Sequence, residues 1–377
     1  MAKKIAILFS CSVVTLLSLP SCGGDKPAGG TPSGGTTPAA SNPAPSNPAP
    51  SNAASAGDKA AEAAQDPQKK VAKPKIDYQM VKQMFGTEPS APPVDNPSTP
   101  EKVALGKALY HDASLSKNGN LSCASCHDLG TYGVDNKPTS PGSDGKNGER
   151  NTPTVYNAAR QFTQFWDGRA QTVEEQSTFP IVNAVEHGLA DEAALVAKIK
   201  EKAELADGFK KAFPKDADPV TAANFRLAVG AFERTLVTKS RWDEYLDGNQ
   251  KALTNEELVG LKTFMDSMCT TCHMGRLLGG HMFQKLGQTK PYPGADTGRM
   301  QVTKSEADKH IFKVPTLVNC EKTAPYYHDG TIATLEEAVK NMAEIQLGQN
   351  LPADKVAAIV TFLKALTGPL PAEFAKK

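Results

Sequence analysis

The sequence predicts a mainly α fold in two similar lobes, preceded by an export signal and a disordered tether. Three observations carry this. Helix-start signatures recur along the chain while strand signals are sparse. The motif Cys-x-x-Cys-His occurs twice, 146 residues apart, at Cys123–His127 and Cys269–His273. A Pro/Ala/Ser/Gly tract separates both motifs from the N-terminus.

Residues 1–21 read as a signal peptide of lipoprotein type. Lys3 and Lys4 form a positive n-region, and the apolar run behind them is short for a bilayer span. It ends Leu19-Pro20-Ser21-Cys22, which resembles a lipobox, so Cys22 is the expected lipid anchor and the mature chain is expected in the periplasm. Residues 22–75, with the tandem repeat SNPAPSNPAPSN, bury too little apolar surface to offset their ordering entropy and read as a semi-extended linker.

An N-terminal lobe is expected over 76–237 and a C-terminal lobe over 238–377. In the first, Ser98-x-x-Glu101 with Pro100 inside the first turn starts a helix. Its stretch GKALY (106–110) brings an aromatic toward the first motif. Residues 131–154 are rich in turn formers and read as a long loop, a length that implies function. Thr172-x-x-Glu175 marks another helix, and 225–237 is an amphipathic one. The second lobe repeats the pattern. Thr254-x-x-Glu257 opens a helix holding GLKTF (260–264), and Thr334-x-x-Glu337 opens the next. Over 356–368, Ile359, Phe362, Leu363 and Leu366 share one face.

A net charge of +1, from 42 basic and 41 acidic residues, excludes a global field drawing the chain to nucleic acid. Chemistry concentrates in the cysteines. A structural zinc site needs four ligands and each motif offers three. A redox dithiol needs no trailing histidine. Cys-x-x-Cys-His is the attachment pattern of c-type heme: each cysteine forms a thioether and the histidine reaches the iron. Cys123, Cys126 and His127 would hold one heme, and Cys269, Cys272 and His273 a second. Cys320 is left over and reads as a buried, inert thiol.

The sixth iron position separates a carrier from a catalyst. For the second heme Met342, inside the helix begun at Thr334, is the favoured soft ligand, with Met274, Met282 and Met300 as competitors. For the first, no methionine and only one histidine, His187, lies between His127 and Phe232. That scarcity favours an open face.

Long ordered stretches extend the pattern: LGKALYHDASLSKNGNLSCASCHDLGTYGVDN, GERNTPTVYNAA and FWDGRAQTVEEQ in the first half, GLKTFMDSMCTTCH and TAPYYHDGTIATLEEAV in the second. Together they resemble the bacterial diheme cytochrome c peroxidases from about residue 78 to about residue 370. The resemblance implies two cytochrome c-type heme domains packed face to face, with the last residues folding back on the first. It implies reduction of hydrogen peroxide to water by electrons from a small periplasmic cytochrome c or cupredoxin. The heme of His273 and Met342 would take up electrons, and the heme of His127 would bind peroxide. Glu186 matches the distal acid–base carboxyl, Gln176 the distal amide and Trp166 the tryptophan between the hemes. Asn151, with the main-chain oxygens of Thr323 and Pro325, matches an interdomain calcium site. A homodimer is common in that family. His328 matches a position near the second heme without a role; His111, His281 and His310 read as packing or surface residues.

The chain departs from that pattern at one place. Many members carry a histidine in the loop after the first motif that caps the iron until the second heme is reduced. Here the stretch reads TSPGSDGKNG, with Ser143 at that position and no histidine or methionine anywhere in 131–154. A first iron free of a histidine cap is therefore expected. Two rival readings are a diheme electron carrier without chemistry, and an oxidase of the tryptophan-modifying diheme type, in which tyrosine replaces the axial methionine.

Overall fold

Helix caps explain where the chain turns helical. The computed structural model describes residues 71–88 and 94–375, so the expected signal peptide and nearly all of the expected linker lie outside the described residues. The described residues all fall in one compact unit. In chain order the helices up to residue 233 are α1 (Tyr78–Phe85), α2 (Pro100–His111), α3 (Cys123–Cys126), α4 (Val173–Gln176), α5 (Phe179–Val182), α6 (Glu192–Lys200), α7 (Ala203–Ala212) and α8 (Ala222–Glu233). There follow α9 (Arg241–Leu246), α10 (Asn255–Asp266), α11 (Met300–Thr303), α12 (Leu335–Leu347) and α13 (Ala353–Lys364). Two short antiparallel strands, β1 (Phe283–Lys285) and β2 (Ile311–Lys313), pair Phe283 with Lys313.

Thr254 and Glu257 cap α10 reciprocally, and Thr334 caps α12, as their spacing predicts. The cap of α2 is Thr99 rather than Ser98, because Pro100 takes the first helical position and the residue before it must cap. At α4, Thr172 accepts the Glu175 N–H, but the Glu175 carboxylate turns to the Gln171 N–H at 2.7 Å.

The same helix crossing builds both lobes. In the first, α2 packs across α8; in the second, α10 packs across α13. Each crossing needs a glycine. A β-carbon at Gly106 would sit 2.0 Å from the Ala228 carbonyl oxygen, and one at Gly260 would sit 2.1 Å from that of Ala358. Both would also press on a phenylalanine β-carbon, Phe232 at 2.8 Å and Phe362 at 2.7 Å. Four residues after each glycine comes the expected aromatic. Tyr110 donates from its hydroxyl to the His127 carbonyl at 2.6 Å, and the Phe264 ring lies 6.4 Å from the His273 ring. Ile359, Phe362, Leu363 and Leu366 are all buried.

The chain ends are exchanged between lobes. α1, expected with the N-terminal lobe, packs in the core of the C-terminal one: Phe85 meets Trp242 edge-on at 5.2 Å and Tyr78 meets Tyr245 at 5.4 Å. Its buried face, Val81 and Phe85, finds its apolar partner across the boundary expected at 237. The tail makes the reverse move. Leu370 and Phe374 pack on the Tyr110–Phe232 cluster, and Glu373 pairs with Lys107. Between the lobes, Arg150 bridges Asp167 and Asp296, each at 2.6 Å. Among the described residues no helix is long and apolar enough to cross a membrane.

Candidate active site

The two motifs present their histidines alike. Ser122 and Ser125 cap each other around α3, and the His127 N–H returns to the Cys123 carbonyl at 2.9 Å. The second motif forms a tighter turn over Cys269–Thr271, with the His273 N–H on the Cys269 carbonyl at 3.0 Å. In each imidazole Nδ1 meets a main-chain carbonyl, Gly133 at 3.2 Å for His127 and Leu278 at 2.8 Å for His273. A carbonyl only accepts, so Nδ1 carries the proton and Nε2 keeps its lone pair for a metal. Burial holds both imidazoles neutral, pushing His127 down and His273 down to about 4.

The four motif cysteines form no disulfides, and burial pushes Cys123 and Cys269 up to about 12. Burial disfavours the thiolate at Cys123, Cys126 and Cys269, and all four sulfurs stand in the attachment pattern for thioether bonds. No group of three or more His, Cys, Asp or Glu side chains that could hold a bare metal ion occurs among the described residues. The donor set, paired thiols beside a neutral histidine with its Nε2 free, fits a covalently attached heme at each motif.

A cavity of about 300 Å³ opens beside Cys123, Cys126 and His127. Leu121, Val134, Val155 and Val229 give it apolar walls. Gln176, Glu186 and Trp166 reach the same cavity, so the sequence-predicted distal residues and the first motif meet in one space. Burial raises the Glu186 carboxyl above its usual range, opposed by Arg169 and by a 2.8 Å hydrogen bond from the Asn183 amide. Trp166 donates from its indole to the Asn151 carbonyl at 2.9 Å, and its ring stands 6.5 Å from that of His328. Asn151, Thr323 and Pro325 line the cavity's inter-lobe end, where the Asn151 amide donates to Lys137 and Pro138 carbonyls. Met342 lies on α12, half-buried, and is not among the residues lining the first cavity. Cys320 is buried and its thiol is pushed up to about 12, as an inert thiol should be.

Known proteins match the chain throughout this region. The family model for di-haem cytochrome c peroxidase matches residues 100–251. Cytochrome c551 peroxidase of Nitrosomonas europaea is 44% identical over 294 residues, covering 76% of this chain and 86% of that protein. Cytochrome c551 peroxidase of Pseudomonas aeruginosa is 44% identical over 282 residues, covering 73% of this chain and 81% of that protein. The chain belongs to the di-haem cytochrome c peroxidase family. Membership makes it an oxidoreductase of the peroxidase class with two hemes as the family's cofactors. The family's other branch is also near. A methylamine utilization protein MauG of Methylophilus methylotrophus is 32% identical, covering 66% of this chain and 74% of that protein. A crystal structure of a MauG-like protein associated with microbial copper homeostasis superposes with a TM-score of 0.68 at 30% identity, covering 76% of this chain and 96% of that one.

Within this peroxidase family frame the loop at 131–154 is stitched down. Ser143 donates its N–H to the Glu186 carbonyl at 2.7 Å and its hydroxyl to Asn120 at 2.8 Å, and accepts the Asn118 N–H at 3.1 Å. The Asn118 and Asn120 amides return to the Ser143 carbonyl, and Lys117 pairs with Asp144 at 2.8 Å. A serine therefore ties the loop tip to the segment carrying Glu186. His187 also borders the cavity; it is buried, with Nδ1 3.3 Å from the Leu115 carbonyl.

Two buried charged residues in the same wall escaped the sequence reading. Glu233, at the end of α8, has its carboxyl pushed up to about 8 by burial and by Glu174, against Arg234. Lys313, at the end of β2, is buried at the inter-lobe end. For Lys313 the signal was available in IFKVP, where one charge interrupts an apolar run; in FRLAVGAFERTLV, Glu233 directly precedes Arg234.

Proposed function

We propose that the chain reduces hydrogen peroxide to two waters, consuming two protons and two electrons per turnover. The heme attached at each motif would supply the redox chemistry and the open coordination site; the chain's residues handle protons and position. Glu186 takes a proton from the inner peroxide oxygen and returns it to the outer one, a task for a buried carboxyl with a raised pKa. Gln176, which does not titrate, orients the peroxide. Trp166 bridges the space toward the second lobe, where His273 and Met342 would hold the electron-accepting heme, since a thioether favours the reduced metal. Asn151 with the Thr323 and Pro325 carbonyls would bind calcium, whose preference is for such oxygens.

The single observation carrying this reading is the convergence of Glu186 and Gln176 on the cavity of Cys123, Cys126 and His127. The Ser143 ties support a first site that needs no prior reduction to uncover it. Electrons would come from a small cytochrome c or cupredoxin in the periplasm, with the chain anchored through Cys22 and paired as a homodimer. The relatives named MauG favour a second reading, oxidation of a protein substrate; a methionine rather than a tyrosine at position 342 speaks against it. A steady-state assay of peroxide-dependent oxidation of reduced small cytochromes, with heme counted by alkaline pyridine, tests the proposal. Two hemes and turnover support it; two hemes without turnover leave a carrier.

A further inference from the structure

Lys313 is a buried cation without a counter-ion. The residue is 7% exposed and its ammonium donates to the Thr163 carbonyl at 3.0 Å. The one carboxylate that influences it, Asp167, is already held by Arg150 at 2.6 Å and Arg169 at 2.9 Å. Glu186 is occupied by Asn183, and the surroundings of Glu233 are set by Glu174 and Arg234. Removing an ammonium from water is expensive unless a paired anion or a proton loss offsets it. Accordingly burial pulls the amine down to about 7. The strand fixes it in place: the Lys313 N–H donates to the Trp166 carbonyl at 2.7 Å, so the amine and the indole form one backbone-linked unit at the cavity's inter-lobe end.

We propose that Lys313 is the anchor for a propionate carboxylate of a heme lining this cavity, and that the pair makes Lys313 a positioning residue for electron transfer beside Trp166. A heme brings two carboxylates to a cavity where the nearby Asp167 is held by Arg150 and Arg169 and Glu186 by Asn183. Lys313 supplies the donor and the charge to receive one. The paired ammonium also stabilises the extra electron on the reduced heme, because a positive charge a few ångströms away in a poorly screened interior favours the more negative state. The inference rests on the covalent-heme reading given above.

The test uses the intact holoenzyme. Heme counting of the wild type comes first, followed by spectroelectrochemical titration of both hemes in wild type, Lys313→Met and Lys313→Arg. Methionine keeps the length and removes the charge; arginine keeps the charge. The expected result is a shift of at least tenfold toward the ferric form for one heme in Lys313→Met, restored in Lys313→Arg. Two retained hemes with unshifted equilibria in Lys313→Met would overturn this proposal alone. Wild type without covalent heme would overturn the reading beneath it as well. A crystal structure of the wild-type holoenzyme decides independently of whether the variants fold. A propionate oxygen within hydrogen-bond distance of the Lys313 amine is expected; an amine facing only Thr163 overturns the inference.

Discussion

Replacing Glu233 by glutamine should change how stability depends on pH. The carboxyl is buried at the end of α8 with Glu174 nearby, and its pKa rises from the usual 4.5 to about 8. Below 4.5 the folded and unfolded chains both hold this proton, so the site costs nothing there. As pH climbs, the unfolded chain releases its proton while the folded chain keeps it, and stability falls by about 1.4 kcal/mol per pH unit. The loss levels off once pH passes about 8, where the folded group ionises too. Across that window the loss totals roughly 5 kcal/mol. Glutamine is near-isosteric and cannot ionise. Urea unfolding of the holo chain at pH 5 and pH 8.5, followed by far-UV circular dichroism, compares the two proteins. The variant should gain several kcal/mol relative to wild type on moving to the higher pH. Parallel stability curves would refute the assignment of a buried, protonated Glu233.

Further outcomes follow from the same geometry. Glu186→Gln should lower kcat/KM for peroxide by about 10²- to 10⁴-fold with heme content unchanged, measured by stopped flow; wild-type turnover would exclude Glu186 as the proton carrier. Gly106→Ala and Gly260→Ala should each destabilise their lobe by about 1–3 kcal/mol or more, since a carbonyl oxygen stands where the new methyl must go; unchanged thermal unfolding would contradict the crossing. Ser143→Ala removes two hydrogen bonds to Asn118 and Asn120 and should cost about 1–3 kcal/mol in stability. Hydrogen exchange should show the loss centred on residues 139–148, and uniform protection would contradict the tie.

The fold was legible where covalent pattern or capping chemistry fixed it. The two Cys-x-x-Cys-His motifs, the Thr254 and Thr334 caps and the apolar face of α13 all follow from short-range spacing. The glycines of GKALY and GLKTF stood in view, but only the crossing shows why a side chain is excluded there. The destination of α1 was not legible, because an amphipathic stretch specifies a buried face and not the lobe that buries it. The shift of the α2 cap from Ser98 to Thr99 is a one-residue matter of where Pro100 falls. Of the site, Glu186, Gln176 and Trp166 were reached through resemblance, since their types alone suggest solvent-facing polarity or core packing. Glu233 and Lys313 were missed because a charged residue reads as a surface position until the neighbouring elements enclose it.

The central claim is asymmetry between the two irons, one open for peroxide and one closed by Met342. Electron paramagnetic resonance of the fully oxidised holoenzyme tests it most directly. The expected spectrum holds one high-spin ferric heme, removed by Cys123→Ala with Cys126→Ala, beside one low-spin heme altered by Met342→Ala. Two low-spin centres in the oxidised wild type, with His127 facing a second protein ligand such as His187, would contradict it.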